Sequence, residues 1–313
     1  MKILFFTGKG GVGKSTLAAA AAWQLSRKRR VLIVSLDPAH NLGDIFGVAI
    51  KGRRRRFTPS LHLDEVDLRK MARAYLERET QTLSDTYKYL ATLNLDSYFS
   101  VLKYSPGIEE YALLTSIERT IREEAGFDYV IFDTPPTGLT LRFLALPQVT
   151  ITWIDRLTAI RRQILEKRYT IQKIRRPLKE GETAREVLLS YREDDDDIMA
   201  RLKALHDNYR RLTAVLQGGD CGVVLVFNPD LLSRRESERL IEGLNDLRLP
   251  LRLLIQNKVT AANREIAVAV GDSLQAAAGG AVPLQYVALD PGIAANNGSL
   301  YEIPEDLEAN LGF

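Results

Sequence analysis

A glycine-rich stretch near the start of the sequence contains the residue types that bind phosphate groups. It reads GKGGVGKS from Gly8 to Ser15 and fits the spacing G-x-x-x-x-G-K-[ST]. Glycines leave room for backbone N–H groups to close around an anion, and a helix that starts there directs its positive end at the same anion. Lys14 can neutralise phosphate oxygens, and the Ser15 hydroxyl can ligate Mg²⁺. The expected contacts with a Mg²⁺-bound nucleotide are made by Gly8, Lys9, Gly10, Gly11, Val12, Gly13, Lys14, Ser15 and Thr16.

Two aspartates stand directly after apolar runs that are typical of buried strands. Asp37 follows residues 31–36, and Asp133 follows residues 129–132. A carboxylate beside a γ-phosphate can orient the attacking water and accept its proton, so we expect Asp37 to be catalytic. Asp133 ends its strand as a Walker B carboxylate does, and we expect it to bind a water molecule of the Mg²⁺ shell. The alternative for Asp37 is a helix cap without a catalytic role, because Asx residues often open turns before proline.

Strands that alternate with helices are expected to position these residues. The predicted strands are Lys2–Thr7, Val31–Leu36, Tyr129–Asp133, Gly222–Phe227, Leu251–Gln256 and Pro283–Leu289. With an Ala-rich helix over 15–26, this alternation predicts an α/β fold of the P-loop NTPase type with a doubly wound, mostly parallel sheet. Two long stretches, at about 68–125 and 151–217, have helical periodicity and are interpreted as insertions that form a helical subdomain. We expect a single P-loop domain over 1–313, with the charged run Arg53–Arg56 in a loop.

The overall composition is that of an ordinary globular protein. Of the 313 residues, 45% are hydrophobic and 27% are charged, and a net charge of +3 gives no reason to expect nucleic-acid binding. The one cysteine, Cys221, can form neither an internal disulfide nor a multi-thiolate metal site. No apolar run in the sequence reaches the length of a membrane span. These features predict a protein of the reducing cytoplasm.

A second lysine inside the glycine-rich stretch makes the motif more specific. With Lys9 it reads KGGVGKS, which resembles the deviant Walker A motif. ATPases with that motif include the nitrogenase iron protein, the MinD and ParA partitioning proteins, and the arsenite-pump and tail-anchored-protein targeting ATPases. In that group the extra lysine reaches the partner's nucleotide across a dimer, so the resemblance implies a homodimer and a catalytic role for Lys9 as well as Lys14. A solvated surface lysine is the alternative for Lys9.

Two further segments resemble the switch regions of the ArsA-type family. The sequence DPAHNLGD at 37–44 resembles switch I. The sequences DTPPTG at 133–138 and TLRFLALP at 140–147 resemble switch II and the helix behind it. The resemblance implies hydrolysis of ATP with Mg²⁺, and we expect His40 and Asn41 to order around the γ-phosphate. A surface group is the alternative for His40.

The base-binding side of the site is predicted from a short segment after a strand. Asn257 and Lys258 resemble the family's segment that hydrogen-bonds adenine through an asparagine amide. An ordinary turn is the alternative for these two residues. Selectivity for adenine over guanine rests on the resemblance alone.

The resemblance leaves more than one biological role open. The favoured role is targeting or chaperoning of membrane proteins, such as tail-anchored proteins, with a client helix bound by the helical insertions. A partitioning-type positional ATPase on membrane or DNA and an arsenite-pump ATPase subunit are the alternatives. The lone Cys221 argues against the pump, because soft As(III) prefers more than one thiolate. The C-x-x-C zinc clasp of eukaryotic targeting factors is absent from the sequence, so no zinc is expected.

An apolar series at helical spacing lies among basic residues in the second predicted insertion. A stripe of this kind is typical of a subdomain core, and a client-binding face is the alternative. The series consists of Ile151, Ile154, Leu157, Ile160 and Ile164.

Overall fold

The structure is a computed structural model that describes residues 1–38, 41–50, 54–74, 77, 107–174, 191–294 and 299–311. The strands of this part are β1 (Lys2–Thr7), β2 (Val31–Ser35), β3 (Arg55–Arg56), β4 (Leu61–Glu65), β5 (Tyr129–Asp133), β6 (Cys221–Phe227), β7 (Leu251–Val259) and β8 (Leu284–Ala288). They form one eight-stranded sheet in the order β3-β4-β2-β5-β1-β6-β7-β8. Neighbouring strands are parallel except β3 and β4. The predicted α/β fold with a mostly parallel sheet is therefore confirmed.

Helices connect most of these strands. The α-helices of the described residues are α1 (Lys14–Ser26), α2 (Leu42–Phe46), α3 (Ile108–Glu123), α4 (Thr137–Ile174), α5 (Asp197–Leu216), α6 (Leu231–Asp246), α7 (Arg264–Ala277) and α8 (Pro291–Ala294). Residues 68–74 are also helical. Short 3₁₀ turns cover Glu193–Asp195, Ala261–Asn263 and Glu308–Asn310.

The helix that follows the glycine-rich loop lies flat against the sheet because its side chains are small. The five alanines at 18–22 are fully buried in the core that α1 shares with the central strands. Alanine has the highest intrinsic helix propensity and lets a helix backbone approach a sheet closely. This packing fixes the first turn of α1, and with it Lys14 and Ser15, at the carboxyl end of β1.

The sequence interpretation missed the edge of the sheet. It placed Arg53–Arg56 in a loop, whereas Arg55 and Arg56 form β3 and pair antiparallel with Leu63 and His62 of β4; Arg53 lies outside the described residues. Both strands are short, and β3 is a two-residue strand of exposed arginines. Such a segment has no apolar alternation from which a strand can be predicted.

The described chain divides into two compact units. The first comprises 1–144 and 216–313, and the second comprises 145–215. The second unit coincides closely with the predicted insertion at 151–217. Helix α3 belongs to the first unit, and most of the other predicted insertion lies outside the described residues.

The apolar series in the second unit is only partly buried. Ile154 is buried as expected, but Leu157, Ile160 and Ile164 are exposed to 47%, 54% and 38%. The interpretation of these three residues as core is therefore wrong. They lie on a different face of α4 from the buried Ile154 and Leu165. No helix in the described ranges combines the length and the apolar character needed to cross a membrane.

Candidate functional site

The glycine-rich loop has the backbone conformation of an anion-binding loop. Gly11 and Gly13 have φ angles of 80° and 94°, a left-handed region that favours glycine. A Cβ atom at Gly8 would collide with the carbonyl oxygen of Val226 on β6. The loop leads directly into α1 at Lys14, so the positive end of that helix faces the loop.

Lys14 is the buried cation of this site. It is only 5% exposed, and its ammonium donates to the carbonyl oxygen of Lys9 over 3.4 Å. Burial lowers the pKa of Lys14, and the carboxylates of Asp133 and Asp37 act in the opposite direction. Burial removes the hydration of this ammonium, so an anionic ligand that binds next to it stabilises its charged form.

Asp133 is a fully buried acid at the carboxyl end of β5. Neither carboxylate oxygen has a hydrogen bond of good geometry among the described residues. Burial raises the pKa of Asp133 to about 7, while the nearby Ser15 hydroxyl and Lys14 ammonium act in the opposite direction and Asp37 adds to the increase. Mg²⁺ prefers oxygen ligands and usually keeps several bound waters. A serine hydroxyl beside a carboxylate that lacks well-formed hydrogen bonds in the described residues therefore fits a Mg²⁺ site.

The segment after Asp133 is attached to the neighbouring strand through a chain of buried hydroxyls. Thr134 donates from its backbone N–H and from Oγ1 to the carbonyl oxygen of Phe6, over 3.1 and 2.8 Å. Thr140 Oγ1 lies 3.0 Å from Thr134 Oγ1 and donates to the carbonyl oxygen of Pro135 over 2.8 Å. These bonds fix the start of the predicted switch II, and with it the position of Asp133.

Asp37 lies in the same site. It follows β2 and is half-buried, and its charge influences the pKa of both Lys14 and Asp133. The register explains the proximity, because Ser35 at the end of β2 pairs with Asp133. The two carboxylates and the lysine that the sequence singled out are thus brought together.

The rest of the predicted switch I is less completely described. His40 lies outside the described residues. Asn41 is exposed at the start of α2, where its backbone carbonyl accepts from the N–H of Ile45 over 3.0 Å. The role predicted for Asn41 at a γ-phosphate remains a prediction. Lys9 is half-buried in the loop, and its role across a dimer also remains a prediction.

A cavity of about 590 Å³ opens beside the loop. This volume is in the range of small-molecule sites and can accept a nucleoside. Asn257 and Lys258 line it, and their role at the base remains a prediction. Their side chains bond the loop: Asn257 Nδ2 donates to the carbonyl oxygen of Val12 over 2.8 Å, and Lys258 Nζ to that of Gly11 over 2.7 Å. The other lining residues are Gly13, Thr16, Leu17, Val287, Ala288, Leu289, Asp290, Pro291, Ile303, Pro304 and Glu305.

Sequence reasoning did not identify the C-terminal segment 299–311, which supplies the last three of these residues. Gln24 of α1 holds it by donating to the carbonyl oxygen of Glu305 and accepting from the N–H of Leu307, both over 2.8 Å. Tyr301 stacks on Phe46 at the end of α2, with ring centroids 4.7 Å apart. The segment therefore joins the wall of the cavity to α2, the helix that begins within the predicted switch I.

The sequence is similar to known ATPases over most of its length. Residues 1–271 match the sequence profile of the anion-transporting ATPases, the ArsA ATPase family. A putative arsenical pump-driving ATPase 2 of Aquifex aeolicus is 28% identical over 265 residues, which cover 84% of this chain and 82% of the relative. The ATPase get3 of Schizosaccharomyces japonicus is 30% identical over 264 residues, covering 83% and 75%. A putative arsenical pump-driving ATPase 1 of Aquifex aeolicus is 29% identical over 263 residues, covering 78% and 61%.

Proposed function

The chain belongs to the anion-transporting ATPase family and is an ATPase, and we propose that it hydrolyses Mg²⁺-ATP as a homodimeric switch for membrane-protein clients in the cytoplasm. The switch motifs support the nucleotide-driven part of this proposal. The observation that carries the client-binding part is an exposed apolar face on α4. Targeting or chaperoning of proteins with a terminal apolar helix is the role that fits both.

Each residue of the nucleotide site has a proposed task that follows from its surroundings. Lys14 and the loop N–H groups bind phosphate oxygens, and Ser15 supplies a hydroxyl ligand to Mg²⁺. Asp133 accepts hydrogen bonds from a water of the Mg²⁺ shell, which gives its buried carboxylate oxygens the donors that they lack in the described residues. Mg²⁺ neutralises charge on the phosphates when it is bound. Asp37 orients the attacking water and receives its proton.

Lys9 is the residue that the proposal assigns to the dimer. It is only half-buried in a loop whose other lysine is nearly fully buried. The resemblance to deviant Walker A proteins supports contact between Lys9 and the nucleotide of the partner subunit. ATP then favours the closed dimer because each nucleotide is bound by both copies.

The apolar face of α4 extends for about six helical turns. Its residues recur at intervals of three, four and seven and therefore lie on one side of the helix. They are Val149, Trp153, Leu157, Ile160, Ile164 and Ile171, with exposed fractions of 46%, 65%, 47%, 54%, 38% and 55%. We call this set the α4 apolar face. A series of exposed apolar residues of this length on one side of a helix is typical of a binding site for another apolar segment.

Basic residues flank the α4 apolar face. Arg156 and Lys167 are exposed at its edge, and both lie within one helical turn of face residues. An apolar client helix gains roughly 25 cal/mol for each Å² of apolar surface that it buries. Basic side chains beside such a site can contact anionic headgroups or acidic residues that flank the client helix. An apolar helix with acidic flanks is therefore the client chemistry that this surface fits.

A defined client tests the proposal directly. The Asp37→Asn protein is loaded with Mg²⁺-ATP and mixed with a fluorescent peptide that carries a 20-residue Leu-rich helix, and binding is followed by anisotropy. Leu157→Asp with Ile160→Asp should abolish capture, because each aspartate places a charge on the apolar face. The matched control, Thr152→Asp with Ala159→Asp, puts the same charges on exposed positions of the same helix on the side away from that face. Equal capture by both double variants would rule out the α4 apolar face as the client site.

A metalloid-pump role is suggested by the names of two relatives but not by the chemistry of this chain. Cys221 is its one cysteine and lies buried at the start of β6. Burial raises the pKa of its thiol to about 12, so the thiolate that binds As(III) is disfavoured. Stimulation of ATP hydrolysis by arsenite, and its loss in Cys221→Ser, would favour the pump instead.

A further inference from the structure

The end of β7 is attached to the phosphate-binding loop by two consecutive side chains. The Lys258 ammonium donates to the carbonyl oxygen of Gly11 over 2.7 Å, and the Asn257 amide donates to that of Val12 over 2.8 Å. The partners are separated by 247 and 245 residues in the sequence, so the contacts depend on the folded sheet. We call Asn257 and Lys258 the loop latch.

Because each peptide unit is planar, these two contacts also determine the direction of N–H groups in the loop. In a trans peptide unit the N–H points away from the C=O, and the described chain has no cis peptide bond. The Gly11 carbonyl shares its unit with the Val12 N–H, and the Val12 carbonyl shares its unit with the Gly13 N–H. Because the latch holds both carbonyls toward β7, both N–H groups face the opposite side. Successive N–H groups that converge on one side form an anion-binding nest.

Lys258 has an unusual backbone conformation that is fixed by hydrogen bonds. Its φ angle of 59° is in the left-handed region, which non-glycine residues seldom occupy. Two bonds hold it there: its N–H donates to Asn257 Oδ1 over 2.8 Å, and its carbonyl accepts from Asn263 Nδ2 over 3.1 Å. Conformations of this kind persist where the surroundings over-determine them, often at functional sites. A glycine would fit this backbone with less strain, but it would lack the ammonium that reaches Gly11.

The loop is shaped to receive the latch. Gly13 has a φ angle of 94°, and a Cβ atom there would collide with the side-chain nitrogen of Asn257. The glycine at this position thus serves the contact with β7 as well as the turn into α1. Loop and latch fit each other as a pair.

We propose that Asn257 and Lys258 are positioning residues that set the phosphate affinity of the site by holding the loop in its anion-binding shape, whatever base the nucleotide carries. This rests on the proposed nucleotide site at the loop. It differs from the adenine-reading role that the resemblance implies for Asn257. That amide donates one of its two N–H groups to Val12 and accepts from the Lys258 N–H, so these two hydrogen bonds serve the loop and one N–H and one lone pair remain.

Three ligands that share the phosphates and differ in the base separate the two roles. The dissociation constants of Mg²⁺-ATP, Mg²⁺-GTP and Mg²⁺-tripolyphosphate are measured by calorimetry for the full chain and its variants. Lys258→Met keeps the length of the side chain but removes its donor, and it should weaken all three ligands by the same factor, about ten- to a hundred-fold. Lys258→Arg restores a cationic donor and should recover most of the affinity. Asn257→Leu should show the same base-independent loss as Lys258→Met.

The controls distinguish the latch from a general loss of structure. Lys203→Met, at an exposed position of α5, should change none of the three affinities. The unliganded Lys258→Met protein should unfold at the wild-type temperature. If it unfolds at a lower temperature, the two single variants Lys258→Arg and Asn257→Leu provide the test instead. Weaker binding of ATP with unchanged binding of tripolyphosphate would overturn the proposal in favour of base reading. Unchanged affinity for all three ligands would also overturn it. Wild-type protein that binds none of the three would instead refute the proposed nucleotide site.

Discussion

Replacing Asp133 by asparagine should stabilise the unliganded protein at alkaline pH. The acid is fully buried at the end of β5, and neither of its oxygens has a well-formed hydrogen bond in the described residues. Its pKa is raised from 3.8 to about 7, mainly by burial. The folded state therefore holds a proton that the unfolded state releases, so the free energy of unfolding falls as pH rises from about 4 through 7. The asparagine of the variant would be neutral at every pH, which removes this loss.

The size of the effect follows from the same pKa values. A pKa that moves from 3.8 to about 7 corresponds to about 4 kcal/mol between the fully protonated and fully ionised limits. At pH 8.5 the Asp133→Asn protein should therefore be more stable than wild type by up to about 4 kcal/mol, and at pH 5 the difference should fall to about 2 kcal/mol or less. Urea unfolding at both pH values, followed by circular dichroism, measures the difference. Asp246→Asn, at an exposed position of α6, is the matched control for the loss of one carboxylate.

The same variant connects stability to the proposed metal site. An ionised Asp133 is the group that a water of the Mg²⁺ shell would satisfy, so Mg²⁺-ADP should stabilise wild type more than Asp133→Asn at pH 8.5. Wild-type protein that is more stable than Asp133→Asn at pH 8.5 without ligand would refute the reasoning. It would mean that the carboxylate has favourable partners in the folded state and is not a desolvated, uncompensated charge.

Three further predictions concern the nucleotide site. Asp37→Asn should still bind ATP in equilibrium dialysis but lose turnover by about 100-fold or more, because no carboxylate would orient the water; unchanged phosphate release would remove this role. Lys14→Ala should weaken ATP binding by at least about tenfold through loss of a charged hydrogen bond to the phosphates, and equal dissociation constants in calorimetry would contradict this. Lys9→Ala should unfold at the wild-type temperature yet form no ATP-induced dimer in light scattering, and a normal dimer would disprove contact across the interface.

The part of the site that follows from local sequence was predictable. The glycine spacing identifies the loop, and an apolar run that ends in aspartate identifies Asp37 and Asp133. Their proximity also follows from the sequence, because the carboxyl ends of neighbouring parallel strands meet at one edge of a sheet. The structure adds that Asp133 has no well-formed hydrogen bond among the described residues, a property that depends on side chains from separate segments.

The exposed face of α4 shows what periodicity alone leaves open. Helical spacing of apolar residues predicts that Ile154, Leu157 and Ile160 lie on a helix, but not which of them meet other apolar residues. The structure buries Ile154 and exposes the other two. An apolar stripe becomes core or a binding surface according to what packs against it, and that information lies elsewhere in the chain.

The roles of Asn257 and Lys258 depend in the same way on distant contacts. The sequence ends the strand at Gln256, whereas β7 continues to Val259 and includes both residues. The assignment of the amide to the base rests on the family resemblance. In the folded chain the acceptors for both side chains are carbonyls of a loop 245 and 247 residues away in the sequence. A polar side chain that bonds a backbone carbonyl gains control over the shape of that backbone. The same two residues can therefore determine how strongly the site binds phosphate without determining which nucleotide it prefers.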